Sequence, residues 1–296
     1  MRLTCLTTTL SLLALAAPAF AQTTGTLDKV KQSGAITLAY RESSIPFSYL
    51  DDKAQPVGFG HEICMKVVDE VKKATGRTDL KVNLQAVTSA NRIPLLQNGT
   101  IDIECGSTTN NSERGKQVQF AINYFYTGTK FLVKTGTQIK SIEDLKGKII
   151  VSTTGTTNFK ILRNLNEEKK LGMELLGAKD HAESALMVES GRAVAFGMDD
   201  ILLYGLRASS QNPASLAVVG DPIQVEPYAI MLRKDDPAFK KLVDDTLAGL
   251  MKSGEFTKLY TKWFQSPIPP KGINLNAPMS PELVENMKLL SDKPAT

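Results

Sequence analysis

TSANRIPLLQNGTIDIECGS, residues 88–107, and DHAESALMVESGRAVAFGMD, residues 180–199, are the two stretches whose reading decides the fold. Each starts polar, continues as a short amphipathic helix, breaks at a glycine and ends in an apolar run of strand composition. Laid side by side, Gly99 falls opposite Gly191, Ser107 opposite Asp199, and Ser89 opposite His181. Identity between them is low, and helix-turn-strand units recur in all α/β proteins, so a chance match is the competing account. A true repeat predicts two similar α/β lobes, each aiming a helix start and a strand end at one place. Carboxyl ends of strands and helix N-termini are where open α/β sheets bind ligands. The predicted geometry is therefore two facing lobes with a ligand between them.

The flanking sequence alternates in the same way. Strand patterns lie at residues 36–40, 81–87, 101–105, 131–133 and 149–152. Residues 62–71 place Ile63, Val67, Val68 and Val71 at helical spacing, and residues 93–97 read as a short helix ended by Asn98-Gly99. A new unit is expected from Lys130. The last long helix should start at Asp236-Pro237, where proline suits the first turn. Its stripe runs through Leu242, Val243, Leu247 and Leu250 toward Gly254. The proline-rich tail after Ser266 reads as an irregular surface wrap.

At the other end, Met1-Arg2, an apolar stretch over residues 10–17 and Ala19-Phe20-Ala21 before Gln22 form the pattern of a secretory signal peptide. Residues 1–21 are expected to be removed after Ala21, leaving a periplasmic protein. Cys5 precedes the apolar stretch, so it is not placed as a lipoprotein acceptor. No later segment approaches the roughly 18 apolar residues a membrane span needs. The 296 residues favour two domains over one, and the net charge of +4 has no long basic run to fit nucleic acid. Cys64 and Cys105 are too few for a disulfide framework and lack metal-ligand spacing. One disulfide and two buried thiols are both compatible with them.

Candidate ligand groups fall into three clusters: Arg41 in YRESSIPFSY; Ser89, Arg92, Ser107, Thr109 and Arg114 from TSANR through GSTTNNSER; and Thr156 and Thr157 in STTGTTN with His181 and Asp199. A guanidinium fork holds a carboxylate in a bidentate grip, and backbone N–H groups at a helix start add directed donors. An ammonium needs a charged acceptor, which Asp199 supplies. The phosphate-loop pattern G-x-x-x-x-G-K-[ST] is absent, and no cofactor or metal is expected. Taken singly, each residue has an ordinary structural reading as a surface arginine, a helix cap or a turn residue.

Together, however, RESSIPFSY, NRIPLLQNGTIDIECGSTTNNSERG, LKGKIIVSTTGTT, ESGRAVAFGMDD, MLRKDDPAFKKL and TKWFQSPIPPK, in this order, strongly resemble the periplasmic glutamate/aspartate-binding proteins of ABC importers. The resemblance covers essentially the whole chain after residue 21. It implies the type II periplasmic-binding fold, an α/β architecture of two lobes joined by two crossover segments. The first lobe would be discontinuous, residues 22–128 plus 226–296, with residues 129–225 forming the second. It implies that Arg114, Thr109 and Thr157 bind an α-carboxylate, and that Asp199 and Ser107 accept from an α-ammonium. Arg41, Ser89, Arg92 and His181 would enclose a side-chain carboxylate. Partners would be L-glutamate or L-aspartate and importer membrane subunits, with the protein itself a monomer. Val194 stands where relatives carry an acid, a change expected to touch the lobe core. An enzyme on the same fold, a dehydratase of prephenate-like substrates using Glu42, Glu62 or His181, is the principal rival. The arginine-rich set favours a dicarboxylate binder over it.

Overall fold

A computed structural model describes residues 25–295; the expected signal peptide, residues 1–21, lies outside them. Helix α1 (Thr26–Ser33) stops where Gly34 adopts a left-handed φ of 68°. Strand β1 (Ala35–Tyr40) follows, then a small antiparallel sheet of β2 (Ser43–Ser44), β3 (Ser48–Leu50) and β4 (Pro56–Val57). Helix α2 (Phe59–Thr75) buries Ile63, Val67, Val68 and Val71, the stripe seen in the sequence. Next come β5 (Lys81–Ala86), α3 (Arg92–Gln97), β6 (Ile103–Glu104) and the long β7 (Val118–Lys134). The chain continues through β8 (Ile149–Thr153), α4 (Thr157–Glu168), β9 (Glu174–Ala178), α5 (His181–Glu189) and β10 (Ala195–Asp199). After α6 (Asp200–Ser209), β11 (Leu216–Val219) and β12 (Val225–Arg233), it ends in α7 (Pro237–Ser253), α8 (Glu255–Phe264) and α9 (Pro281–Leu289).

The strands are ordered β5-β1-β6-β12-β7-β10-β8-β9, with β11 on β7. Two equivalent sets lie within that order. In one, β5, β1 and β6 run parallel and β12 closes antiparallel on β6. In the other, β9, β8 and β10 run parallel and β7 closes antiparallel on β10. Gly99 and Gly191 share left-handed φ values of 79° and 80° at matching breaks between helix and strand. The repeat is therefore a structural one, in backbone conformation as well as in pattern.

Three expectations need correction. Lys130 does not open a new strand: β7 runs unbroken for 17 residues because VQFAINYFYTGTKFLVK holds no proline and is rich in aromatic and apolar residues. What changes along it is the partner, β12 up to Gly128 and β10 from Thr129. The tail after Ser266 is not irregular throughout, since Ser280 caps α9 by accepting from Leu283 N at 3.2 Å. The tail is pinned to β7 by Asn286 Nδ2 donating to Asn123 O and by Asn123 Nδ2 donating to Lys293 O, both at 2.8 Å. Val194 lies 36% exposed, outside the core, because it precedes the inward-facing residues of β10.

Below the junction of the two sets, aromatic side chains from distant elements interlock. Phe47 meets Tyr228 edge-on at 5.1 Å between ring centroids, and Phe125 stacks on Phe264 at 5.1 Å. A disulfide joins Cys64 of α2 to Cys105 just beyond β6, with Cα atoms 5.9 Å apart. These contacts hold the segments after β1 and β6, where the candidate ligand groups lie. Among the described residues no helix is long and apolar enough to cross a membrane.

Candidate functional site

Where β1 ends, the chain turns and buries Arg41. Its backbone N–H donates to Ser48 Oγ at 2.8 Å, and its Nη2 donates to Ser89 Oγ at 2.8 Å. From the opposite side, His181 opens α5 and places Nε2 3.3 Å from the same Nη2. The other ring nitrogen of His181 is 2.9 Å from Thr153 Oγ1. Burial first, then the Arg41 and Arg92 charges, hold the His181 imidazole well below its ordinary range, so it is neutral at pH 7. Burial and the neighbouring Arg92 lower Arg41 to about 9, still cationic at neutral pH.

Arg92, the first residue of α3, is buried alongside and reaches Ser107 O with Nη1 at 3.4 Å. Among the described residues nothing hydrogen-bonds Arg41 Nη1 or Arg92 Nε. Glu104, fully buried in β6, acts on Arg92 as a counter-charge. Its Oε2 accepts from Thr108 at 2.5 Å, and its Oε1 is likewise unpartnered among the described residues. An unmet N–H at a buried guanidinium is costly, and an anion is the kind of group that would satisfy it.

The other end of the site gathers Arg114, Thr109, Thr157 and Asp199. Arg114 donates from Nη1 to Thr109 O at 2.9 Å and from Nη2 across the cleft to Gly155 O at 3.2 Å. Burial and Arg92 lower its guanidinium to about 10. Thr109 Oγ1 and Thr157 Oγ1 face each other 3.3 Å apart, from opposite sides. Asp199 ends β10 and accepts from Asn158 Nδ2 at 2.8 Å and from the Tyr228 hydroxyl. Burial and the nearby Glu226 carboxylate push the Asp199 carboxyl well above the usual carboxylate range. Ser107 Oγ donates to Ser44 Oγ at 3.2 Å.

Hydrogen bonds join eight of the ten candidate residues in three groups: Arg41 with Ser89 and His181, Arg92 with Ser107, and Arg114 with Thr109 and Thr157. Asp199 is buried close enough to act on the Arg92 and Arg114 charges. Thr156 is the exception: its hydroxyl accepts from Phe159 N and donates to Thr153 O at 2.7 Å, capping α4. The two sides approach closely here because Gly155, at φ 83°, packs against Ala90; a Cβ on it would stand 2.5 Å from Ala90 Cα. Reasoning from sequence missed Glu104, Glu226, Asn158 and Tyr228. The acids had a readable signal, since Glu104 and Glu226 each interrupt or lead an apolar strand run, where a carboxylate must be paired.

Chemically, one wall is cationic with free donors, and the far end combines a guanidinium and hydroxyls with acids. That set of groups suits a small zwitterion carrying a further anionic group. Residues 36–266 match the family described as bacterial extracellular solute-binding proteins, family 3. Over 283 residues, 95% of this chain and 94% of the relative, the protein is 52% identical to the L-glutamate/L-aspartate-binding protein of Pseudomonas aeruginosa. It is 51% identical over 268 residues to the glutamate/aspartate import solute-binding protein of Salmonella typhimurium, covering 90% and 89% of the two chains. A mutant of ArgBP from T. maritima superposes with a TM-score of 0.73 at 25% identity, over 81% of this chain and 99% of that one. The architecture is thus the type II periplasmic-binding fold, and the chain belongs to the bacterial extracellular solute-binding proteins, family 3.

Proposed function

We propose that this protein binds L-glutamate or L-aspartate between its two lobes outside the cytoplasm and delivers it to the membrane subunits of an ABC importer. The observation that carries the reading is the buried pair Arg41 and Arg92, with N–H groups that no described residue satisfies, beside a neutral His181. The ligand's side-chain carboxylate meets those donors and Ser89. Its α-carboxylate lies toward Arg114, Thr109 and Thr157, and its ammonium toward Asp199 and Ser107. Relatives of about 50% identity that carry glutamate and aspartate in their names support the same assignment.

Selectivity follows from what the wrong ligand leaves unmatched. Glutamine brings an amide to a wall of two guanidinium groups, so a charge-assisted hydrogen bond of roughly 1.5–3 kcal/mol is lost. Glutamate and aspartate differ by one methylene, about 0.8 kcal/mol, and should bind within roughly tenfold of each other. Residues 22–128 with 226–296 form the first lobe and residues 129–225 the second, a division supported by the change of β7 partner after Gly128. The protein is a periplasmic monomer, cleaved after Ala21.

Titration calorimetry of ligand-stripped protein with L-glutamate, L-aspartate and L-glutamine tests the proposal. Glutamate or aspartate should bind one to one, with glutamine at least tenfold weaker. Equal binding of glutamine and glutamate would mean that Arg41 and Arg92 do not read the side-chain carboxylate.

A further inference from the structure

Glu226 stands at the start of β12, opposite Thr127 of β7, and is 1% exposed. Thr109 and Thr157 both donate to one of its oxygens: Glu226 Oε2 lies 3.1 Å from Thr109 Oγ1 and 2.7 Å from Thr157 Oγ1. Thr109 belongs to the segment beyond β6, and Thr157 opens α4 on the other side of the cleft. One internal carboxylate therefore ties the two sides together. The Arg114 guanidinium lies alongside, bonded to Thr109 O and Gly155 O at 2.9 and 3.2 Å.

A hydroxyl carries a single proton. Each threonine can thus donate to Glu226 or to a ligand carboxylate, not to both. These two hydroxyls are the donors assigned above to the α-carboxylate. We infer that Glu226 is a built-in carboxylate surrogate: it latches the lobes through Thr109 and Thr157, and an incoming amino acid must displace it before its own α-carboxylate can bind. This inference rests on the ligand assignment just proposed. Since the latched state is not competent for ligand, the observed Kd is the intrinsic one divided by the unlatched fraction. The latch weakens binding and eases release.

The variants Glu226→Ala and Glu226→Gln, each checked for folding by thermal melting, test this through two readouts. Calorimetry with L-glutamate should show the alanine variant binding about tenfold more tightly than wild type, one charge-assisted hydrogen bond's worth. The glutamine variant should shift the same way but less, because its amide oxygen still accepts from threonine. Small-angle scattering without ligand should give the alanine variant a larger radius of gyration than wild type. A folded variant that binds glutamate equally or more weakly, or that scatters as wild type does, overturns the inference. A wild-type protein that ignores glutamate would instead defeat the ligand assignment, and the scattering comparison alone would then decide whether the latch exists.

Discussion

Replacing Gly155 with alanine should weaken ligand capture without unfolding the protein. The new Cβ would stand 2.5 Å from Ala90 Cα, 2.7 Å from Ala90 N and 2.8 Å from Ser89 C, all backbone atoms that cannot rotate away. Ordinary carbon contacts sit near 3.5 Å, so the two sides must part by about 1 Å. Cross-cleft bonds such as Arg114 to Gly155 O at 3.2 Å and Arg41 to His181 at 3.3 Å would then stretch beyond useful range. Two or three such bonds at about 1 kcal/mol each give a loss of about 2–3 kcal/mol, or roughly 30- to 150-fold in Kd. The left-handed φ of 83° adds a backbone penalty of about 1–2 kcal/mol, a cost to folding that needs its own control. Gly136 provides the control, because it has φ 87° and nothing within 4 Å of an added Cβ. Gly136→Ala should lower the melting temperature yet bind glutamate as wild type does. Calorimetry, with scattering at saturating glutamate, separates the two effects. If Gly155→Ala bound and closed like wild type, the close approach at Ala90 would play no part in ligand capture.

Arg41→Met should cost glutamate about a hundredfold in affinity and glutamine less than tenfold; an equal loss for both ligands would remove the charge-matching account. Reducing the Cys64–Cys105 disulfide, which spans 41 residues, should destabilise the protein by about 4 kcal/mol on loop-entropy grounds. Urea melts with and without reductant measure that, and coincident midpoints would refute it. Burial and Glu226 raise Asp199 from 3.8 to about 8, whereas a ligand ammonium favours its ionised form. Glutamate binding should therefore release a proton between those values, and affinity should climb with pH across the window. The dependence of calorimetric enthalpy on buffer ionisation reports this, and proton uptake on binding would reverse the sign.

The two quoted stretches carried more of the fold than any single helix or strand. Their glycines proved to share a left-handed φ, and Ser89 and His181 proved to meet the same Arg41 guanidinium nitrogen. The pattern was legible because backbone geometry at a helix stop and a strand end leaves a local imprint. The continuity of β7 was not, since an apolar run does not reveal that its partner changes at Gly128. Nor was the disulfide, which depends on α2 lying against the end of β6. The site divides in the same manner. Arginines in polar loops stood out, whereas Glu104 was hidden within a run read only as strand and Glu226 lay in a stretch assigned to no element. Thr156 and Thr157 are adjacent and chemically identical, and only the helix start decides which one caps and which one faces the cleft.

The strand order bears on how the protein assembles. In the first set, β6 waits for β12: Ile103 pairs with Leu232 and Glu104 with Met231, and most of the chain must be present before that ladder can close. In the second, β8, β9 and β10 all arrive within residues 149–199. Closing long loops is entropically expensive and slows folding, so local pairings form first. The half built between β8 and β10 should take shape early, while β1, β5 and β6 stand as an incomplete sheet. An unpaired strand edge is a template for aggregation. For a chain emerging from an export channel, the early-synthesised half is thus the one that stays vulnerable longest, and the one a chaperone has most reason to shield.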